Sequence, residues 1–269
     1  MTALETVVGG PTVLAAVADL APVGLAELVD RAALQTRVDR KYVLPLAAAE
    51  AVVAGLADAE QVRVLVAGEQ RAFGYASQYL DTPELTGFHL AARGRRRRFK
   101  VRLRTYLDTA DSFLEVKTRG TRGETVKERT PWTGADEGFV DDALQRAGVQ
   151  HVRAADLQPV LATGYLRTTL LLPATESRVT VDTGLTWSLP SGRSMALPGL
   201  AIVETKSGAA ASAADRQLWR HGHRPCRISK YGTGLAALRS GLPTNRWHPV
   251  LNRHFPTQHP RHPEARNSA

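Results

Sequence analysis

Apolar and polar positions alternate along most of the middle of this chain. Residues 37–44 (RVDRKYVL) set charged against apolar side chains at period two, as a strand does. Pro45 then opens a helix through residue 57, because proline suits the first helical position and an alanine-rich run follows. Strand-like runs at 61–67, 73–80, 97–107, 112–119 and 124–130 are separated by turn signals such as Asp81-Thr-Pro, which predicts an antiparallel meander. A helix over 136–147, closed by Gly148, precedes strands at 160–172, 177–188 and 199–206, and helices over 213–221 and 232–240 complete the folded part. The resulting division is a helical extension over 1–30, a main domain over 31–241 and a tail over 242–269. That tail carries five Pro, four His and four Arg with few periodic apolar positions, which predicts a basic, disordered segment.

The strands carry an uneven load on their two faces. Side chains alternate across a strand, so Arg98, Lys100, Arg102 and Arg104 share one face while Phe99, Val101 and Leu103 share the other. Glu115, Lys117 and Arg119 oppose Leu114 and Val116 in the same way, and Lys127 and Arg129 lie together. Arg178 and Asp182 oppose Val179 and Val181, and Glu204 and Lys206 oppose Val203. One face of an antiparallel sheet is ordinarily solvated, but a merely wet face takes Ser, Thr and mixed charges rather than this excess of Arg and Lys. Like charges across neighbouring strands repel, so the pattern calls for an anion, and a sheet curled with that face inward would make a cationic tunnel with helices outside.

Charge and composition narrow the class. The 269 residues hold 35 Lys plus Arg against 26 Asp plus Glu, a net charge of +9, with 43% hydrophobic residues, which excludes an acidic solvating protein and a disordered one. Cys226 is the only cysteine, so neither a disulfide scaffold nor a cysteine zinc site can form, as suits a reducing cytosol and a cytoplasmic protein. The apolar stretch 13–28 is interrupted by Asp19, Pro22, Gly24 and Glu27 and has no basic lead, which predicts a soluble protein with no signal peptide or membrane span. The basic surplus is local, with seven cations in the ten residues 95–104, and points to nucleic acid, phospholipid or a phosphorylated substrate. The glycines of 120–123 and 232–234 lack the Gly-Lys-Ser ending of a P-loop and read as turns or a helix start. His221, His223, His248 and His254 have no metal-ligand spacing, and Trp132, Trp187, Trp219 and Trp247 read as packing residues.

Taken in order, RxDRKYVL, YxSxYLDT (75–82), RRRFKVRLRTY, FLEVKTRG, VKER, GYLR (164–167), RVTVDTGL, VETKSG and ISKYGTG resemble the VTC domain family, the polyphosphate polymerase branch of the triphosphate tunnel metalloenzymes. The resemblance implies an α+β fold, an eight-stranded antiparallel tunnel barrel with helices packed outside. It implies phosphate ligands at Lys41, Lys100, Arg102, Arg104, Lys117, Lys127, Arg129, Arg167, Arg178, Lys206 and Lys230, with Ser229 beside the last, and barrel support from Tyr75 and Tyr79. Glu204 matches the family's ligand for Mn²⁺ or Mg²⁺, and Glu115 and Asp182 are candidates either for a second metal ligand or for orienting neighbouring cations. The activity implied is transfer of the γ-phosphate of ATP to polyphosphate or orthophosphate, in a tunnel open at both ends. Transport of the product would run through another chain, a membrane-protein partner.

Hydrolytic members of the wider superfamily carry Glu-x-Glu-x-Lys where Arg37, Asp39 and Lys41 stand here, and the exchange favours transfer over triphosphatase or cyclase chemistry. An inorganic triphosphatase of the same fold, a polyphosphate-binding module without activity and a nucleic-acid-binding module are the alternatives. The last is disfavoured because no aromatic residue interleaves on the cationic face of 98–104 and because Glu115, Asp182 and Glu204 would repel a nucleic-acid backbone.

Overall fold

The computed structural model describes residues 13–31, 38–59, 61–121, 123–134 and 137–255. The chain passes through β1 (Ala21–Val23), α1 (Leu25–Arg31), β2 (Val38–Pro45), α2 (Leu46–Ala59), β3 (Arg63–Leu65), β4 (Phe73–Asp81) and α3 (Thr86–Ala92). It continues through β5 (Lys100–Tyr106), β6 (Ser112–Arg119), β7 (Thr125–Pro131), α4 (Glu137–Arg146), β8 (Gln158–Leu172), β9 (Ser177–Ser188) and β10 (Ser194–Leu197). The last elements are β11 (Leu200–Ser207), α5 (Ala213–Arg220), α6 (Lys230–Leu238) and α7 (His248–His254). Eight strands lie side by side in the order β2-β11-β9-β8-β4-β5-β6-β7, each antiparallel to its neighbours.

The apolar faces of these strands dictate where helices sit. Ala49, Val52, Val53 and Leu56 recur at helical spacing on α2 and, with Leu218 of α5, cover Tyr42, Leu44, Val179, Val181 and Val203. Val140, Ala143 and Leu144 of α4 cover Phe99, Val101, Leu114 and Val116 in the same way. The fold is thus α+β, an antiparallel sheet with helices outside. A third cluster lies on the opposite face: Phe88 of α3, Tyr231 and Leu235 of α6 and Val250 of α7 pack with Tyr79, Tyr165, Trp187 and Ile202. Gly234 is required there, because a Cβ would sit 2.1 Å from Cδ1 of Trp187.

Several expectations change. Among the described residues the eight-strand path does not close into a barrel: β2 and β7 end it without pairing with each other. The free edge of β2 is taken instead by the 225–229 segment, where the Cys226 amide donates to the Lys41 carbonyl at 2.7 Å. Pro45 ends β2 opposite Leu200 rather than opening α2. β3 leaves the meander to pair antiparallel with β8, and β1 joins it in parallel, so 13–31 contributes a strand as well as a helix. Residues 242–255 are not a disordered tail, since α7 forms and Trp247, Val250 and Phe255 are buried in the core; 256–269 lie outside the described residues. Trp187 and Trp247 do pack, and Trp219 donates to the Tyr42 hydroxyl, but Trp132 is exposed. Among the described residues no helix is long and apolar enough to cross a membrane.

Candidate active site

Register decides which charged side chains meet. Pairing sets Lys41 beside Glu204, and Lys206 between Asp39 and Arg178. It sets Arg167 beside Asp182, Glu115 between Arg102 and Arg129, and Lys117 between Lys100 and Lys127. Cross-strand partners share a face, so these residues form one continuous surface on the side away from α2 and α4. Curl of the sheet brings its two ends to one cavity of about 600 Å³, lined by Lys41, Lys100, Lys117, Glu204, Lys206 and Ser229 among others.

The buried acids are already engaged. Glu115, with no exposed surface, accepts from Nε of Arg102 at 2.7 Å and forms ion pairs with Nζ of Lys127 at 2.6 Å and Nε of Arg104 at 3.9 Å. Burial alone would raise its pKa, but Arg102, Arg104 and Lys127 hold it well below the usual carboxylate range. Asp182 accepts from Arg167 through both oxygens, at 2.6 and 2.8 Å, and also from Lys230. Burial opposes its ionisation as well, and Arg167 and Lys230 outweigh it and keep the group charged. Neighbouring aromatic rings seat the same cations: Arg167 lies 5.2 Å from the centroids of Tyr75 and Tyr165, Arg104 5.4 Å from Tyr75, and Lys230 4.2 Å from Tyr165. Burial would raise the Tyr165 phenol, but Arg104, Arg167 and Lys230 draw it down.

Glu204 stands differently. Its side chain keeps 16% of its surface, faces the cavity and contacts Lys206 at 2.8 Å and Lys41 at 3.7 Å. Lys206 also reaches Asp39 at 3.2 Å, so one ammonium bridges two carboxylates on adjacent strands. Among the described residues no group of three or more His, Cys, Asp or Glu gathers to hold a metal ion. A closed protein cage is therefore absent there, but Asp39 and Glu204 fit a Mg²⁺-like ion, which takes one or two carboxylates and fills its shell with water and phosphate oxygens.

The opposite wall carries amines with little to neutralise them. Burial, then Lys41 and Arg102, bring Lys100 down to about 7, and burial with Arg102 and Lys100 lowers Lys117 strongly. Lys127 is also lowered, by burial, although Glu115 opposes the shift. Lys100 donates to Oγ of Ser229 at 3.0 Å, and the same oxygen accepts from the Gly232 amide, which caps α6 and fixes Ser229 at the cavity wall. Arg129 lies at the sheet's end over the Phe113 ring at 5.0 Å, and Arg178 lies opposite Lys206 and Leu171. Arg37 falls outside the described residues.

Three contributors escape the sequence reading. Asp39 is visible there only as the replacement of a glutamate, and Tyr165 is two positions from Arg167 in the 164–167 motif, a period-two signal that could have placed it on this face. Asp215, fully buried, accepts from Tyr42 at 2.7 Å, Thr205 at 2.6 Å and Arg40 at 3.3 Å. It thereby ties together the outward residues that flank Lys41, Glu204 and Lys206; its only trace in sequence is the Ser212-x-x-Asp215 capping spacing.

The VTC domain family matches residues 36–239 of the chain. No curated protein matches it significantly. Among solved structures, a Hippeastrum protein described as a candidate adenylyl cyclase with a dominant triphosphatase activity is 13% identical, with a TM-score of 0.41 and coverage of 78% of this chain and 100% of that one. A candidate adenylate cyclase from Vibrio parahaemolyticus is 13% identical at a TM-score of 0.36, covering 70% and 84%. A Pyrococcus horikoshii protein is 10% identical at 0.38, covering 70% and 88%.

Proposed function

The chain belongs to the VTC domain family, and from that premise we propose that it is an ATP–polyphosphate phosphotransferase that lengthens polyphosphate inside the cationic cavity. The observation that carries this reading is the wall where Lys100 and Lys117 face the cavity with no carboxylate partner among the described residues, opposite Glu204. Such a wall holds a chain of phosphates and lowers the repulsion between two anions brought together.

In this reading Arg102, Arg104, Arg129, Arg167, Lys127 and Lys230 position phosphate oxygens, and Glu115 and Asp182 serve as counter-ions that aim them. Arg178, Lys41 and Lys206 extend the same surface toward β2, and Ser229 offers its hydroxyl beside Lys100. Glu204 with Asp39 would hold Mn²⁺ or Mg²⁺, which when bound supplies charge neutralisation on phosphate oxygens. A terminal oxygen of polyphosphate, or orthophosphate as primer, attacks the γ-phosphorus of ATP. The bond from that phosphorus to the β,γ-bridging oxygen breaks, the electron pair leaves with ADP, and the chain grows by one unit. The attacking oxygen is already anionic, so no general base is needed.

Purified protein with ATP and Mn²⁺ or Mg²⁺, run beside Glu204→Ala and Arg102→Ala, tests the proposal on a polyphosphate gel with separate assays of ADP and orthophosphate. A ladder with matching ADP, lost in both variants, is expected. Orthophosphate without a ladder would move the assignment to an inorganic triphosphatase, and neither product would leave a polyphosphate-binding module.

A further inference from the structure

The charged face of the sheet changes character along its strands. Lys100 and Lys117 are paired at one end of β5 and β6, where they line the cavity, and at the other end the same face carries aromatic rings. Pairing sets Tyr75 between Tyr165 and Tyr106, and Phe113 beside Arg104. Tyr165 and Tyr75 stack at 5.3 Å with 4° between their planes, Tyr75 and Tyr106 lie 5.0 Å apart, and Phe113 stands edge-on to Tyr106 at 5.8 Å. Burial falls along this ladder of rings: Tyr165 is buried, whereas Tyr75, Tyr106 and Phe113 are only half-buried. Arg129 lies 5.0 Å over Phe113. Glu115, opposite it on β6, is engaged by Arg102, Arg104 and Lys127, which leaves Arg129 without an ion pair among the described residues. Just inside the ladder, Oγ of Ser77 and Nε of Arg104 belong to residues paired across β4 and β5 that are 1% and 8% exposed, and neither atom has a hydrogen-bond partner among the described residues. Buried polar atoms are nearly always bonded, so these two call for water or for a ligand atom.

We propose that the outer rings of the ladder, Tyr106 and Phe113, form a purine-binding subsite, so that a nucleoside triphosphate enters at this end with its base on the rings and its phosphates directed inward past Arg129 and Arg104. The subsite rests on the nucleotide reading of the cavity and deepens it, since it fixes which end of the face takes the nucleotide and leaves the end at Lys100 and Lys117 to the polyphosphate. From Tyr106 back to Lys100 the strand spans roughly 20 Å, room for a nucleoside and its three phosphates laid lengthwise. Every base offers a π-face to an aromatic side chain, and guanidinium planes stack on bases too, so Arg129 over Phe113 adds a second layer. Ribose hydroxyls and α-phosphate oxygens, which travel with the base, suit the open positions on Ser77 and Arg104. Stacking reads area rather than base edges, so the subsite favours purines over pyrimidines without separating adenine from guanine.

Binding is compared by calorimetry for ATP, GTP, CTP and ribose 5-triphosphate, which carries the same sugar and phosphates without a base. Wild type, Phe113→Leu and Tyr106→Leu are each first checked for a cooperative thermal transition. Leucine keeps apolar bulk and removes the π-face, and the two positions lie on different strands, so failure of one to fold leaves the other. Wild type should bind ATP and GTP roughly tenfold more tightly than ribose 5-triphosphate, with CTP between them, and each variant should lose most of that advantage while its affinity for ribose 5-triphosphate stays that of wild type. Fluorescence of etheno-ATP, quenched when its base stacks, should be quenched by wild type and less so by either variant. Equal loss for ATP and ribose 5-triphosphate would make the rings mere supports for the arginines and overturn the subsite, as would variants that bind ATP as wild type does. Wild type that binds ATP and ribose 5-triphosphate equally refutes the subsite alone, whereas wild type that binds neither refutes the nucleotide reading of the cavity with it.

Discussion

Replacing Glu115 by Gln separates two roles for a buried carboxylate. The side chain is fully buried and satisfies Arg102 at 2.7 Å and Lys127 at 2.6 Å, with Arg104 at 3.9 Å. Removing one partner of a buried ion pair costs about 3–5 kcal/mol. Glutamine keeps the volume and one acceptor, and Lys127 can turn to solvent, which puts the loss near about 3 kcal/mol. For a chain of this size that lowers the thermal midpoint by roughly 6–12 °C. The pH dependence has a definite sign: the folded carboxyl is depressed, so its contribution is present above the unfolded value of about 4.3 and is lost as pH falls through the folded value. The gap between wild type and variant should hold through neutrality and narrow below pH of about 4. Differential scanning calorimetry at several pH values, beside a metal titration, reads both quantities. A midpoint within about 2 °C of wild type, together with a raised metal requirement, would refute the counter-ion role and make Glu115 a ligand.

Glu204→Gln should behave in the opposite way, keeping most of its stability while the metal concentration for half-activation rises by about tenfold or more; calorimetric titration of Mn²⁺ onto the tripolyphosphate complex checks it. Lys100, held at about 7 against an unfolded value near 10.4, destabilises the folded protein fully below pH 7, and the penalty fades as pH rises between those values. A bound polyanion restores its proton, so tripolyphosphate binding at pH of about 8 takes up protons, and Lys100→Met should reduce that uptake when heats are compared in two buffers; an unchanged uptake would remove Lys100 from the site. Gly234→Ala places a methyl group 2.1 Å from Trp187, whose ring nitrogen donates to the Lys230 carbonyl at 2.8 Å, and should cost about 1–3 kcal/mol by denaturant unfolding together with a loss of activity.

Period-two patterning made the strand face of most candidate site residues legible in the sequence. Strand residues that alternate charged and apolar need no partner to declare their two faces, so Lys100, Arg102, Lys117, Glu204 and Lys206 fall where the alternation puts them. The work done by the acids was not legible, because it depends on register between strands distant in sequence. Asp182 and Lys230 are separated by 48 residues, and Asp215 and Tyr42 by 173. Short elements escaped for another reason: β1 and β10 have three and four residues, too few for a period to show. In 242–255 the Pro, His and Arg content hid apolar residues at 247, 250 and 255, which are buried in one cluster with residues of α3 and α6. The open seam between β2 and β7 also has no sequence signature, since closure depends on how far the sheet curls.

That seam leaves β7 as an edge strand, and its residues are Thr125, Val126, Lys127, Glu128, Arg129, Thr130 and Pro131. A bare edge offers a row of amides and carbonyls to which a strand of another molecule can add, and long charged side chains with a terminal proline are what discourage it. On the far side of the seam the 225–229 segment already occupies part of β2. Lys127 and Arg129 thus guard against self-association as well as lining the proposed anion site. A ligand that neutralises them lowers that guard, so a saturating polyanion should bring copies of the chain closer together in solution.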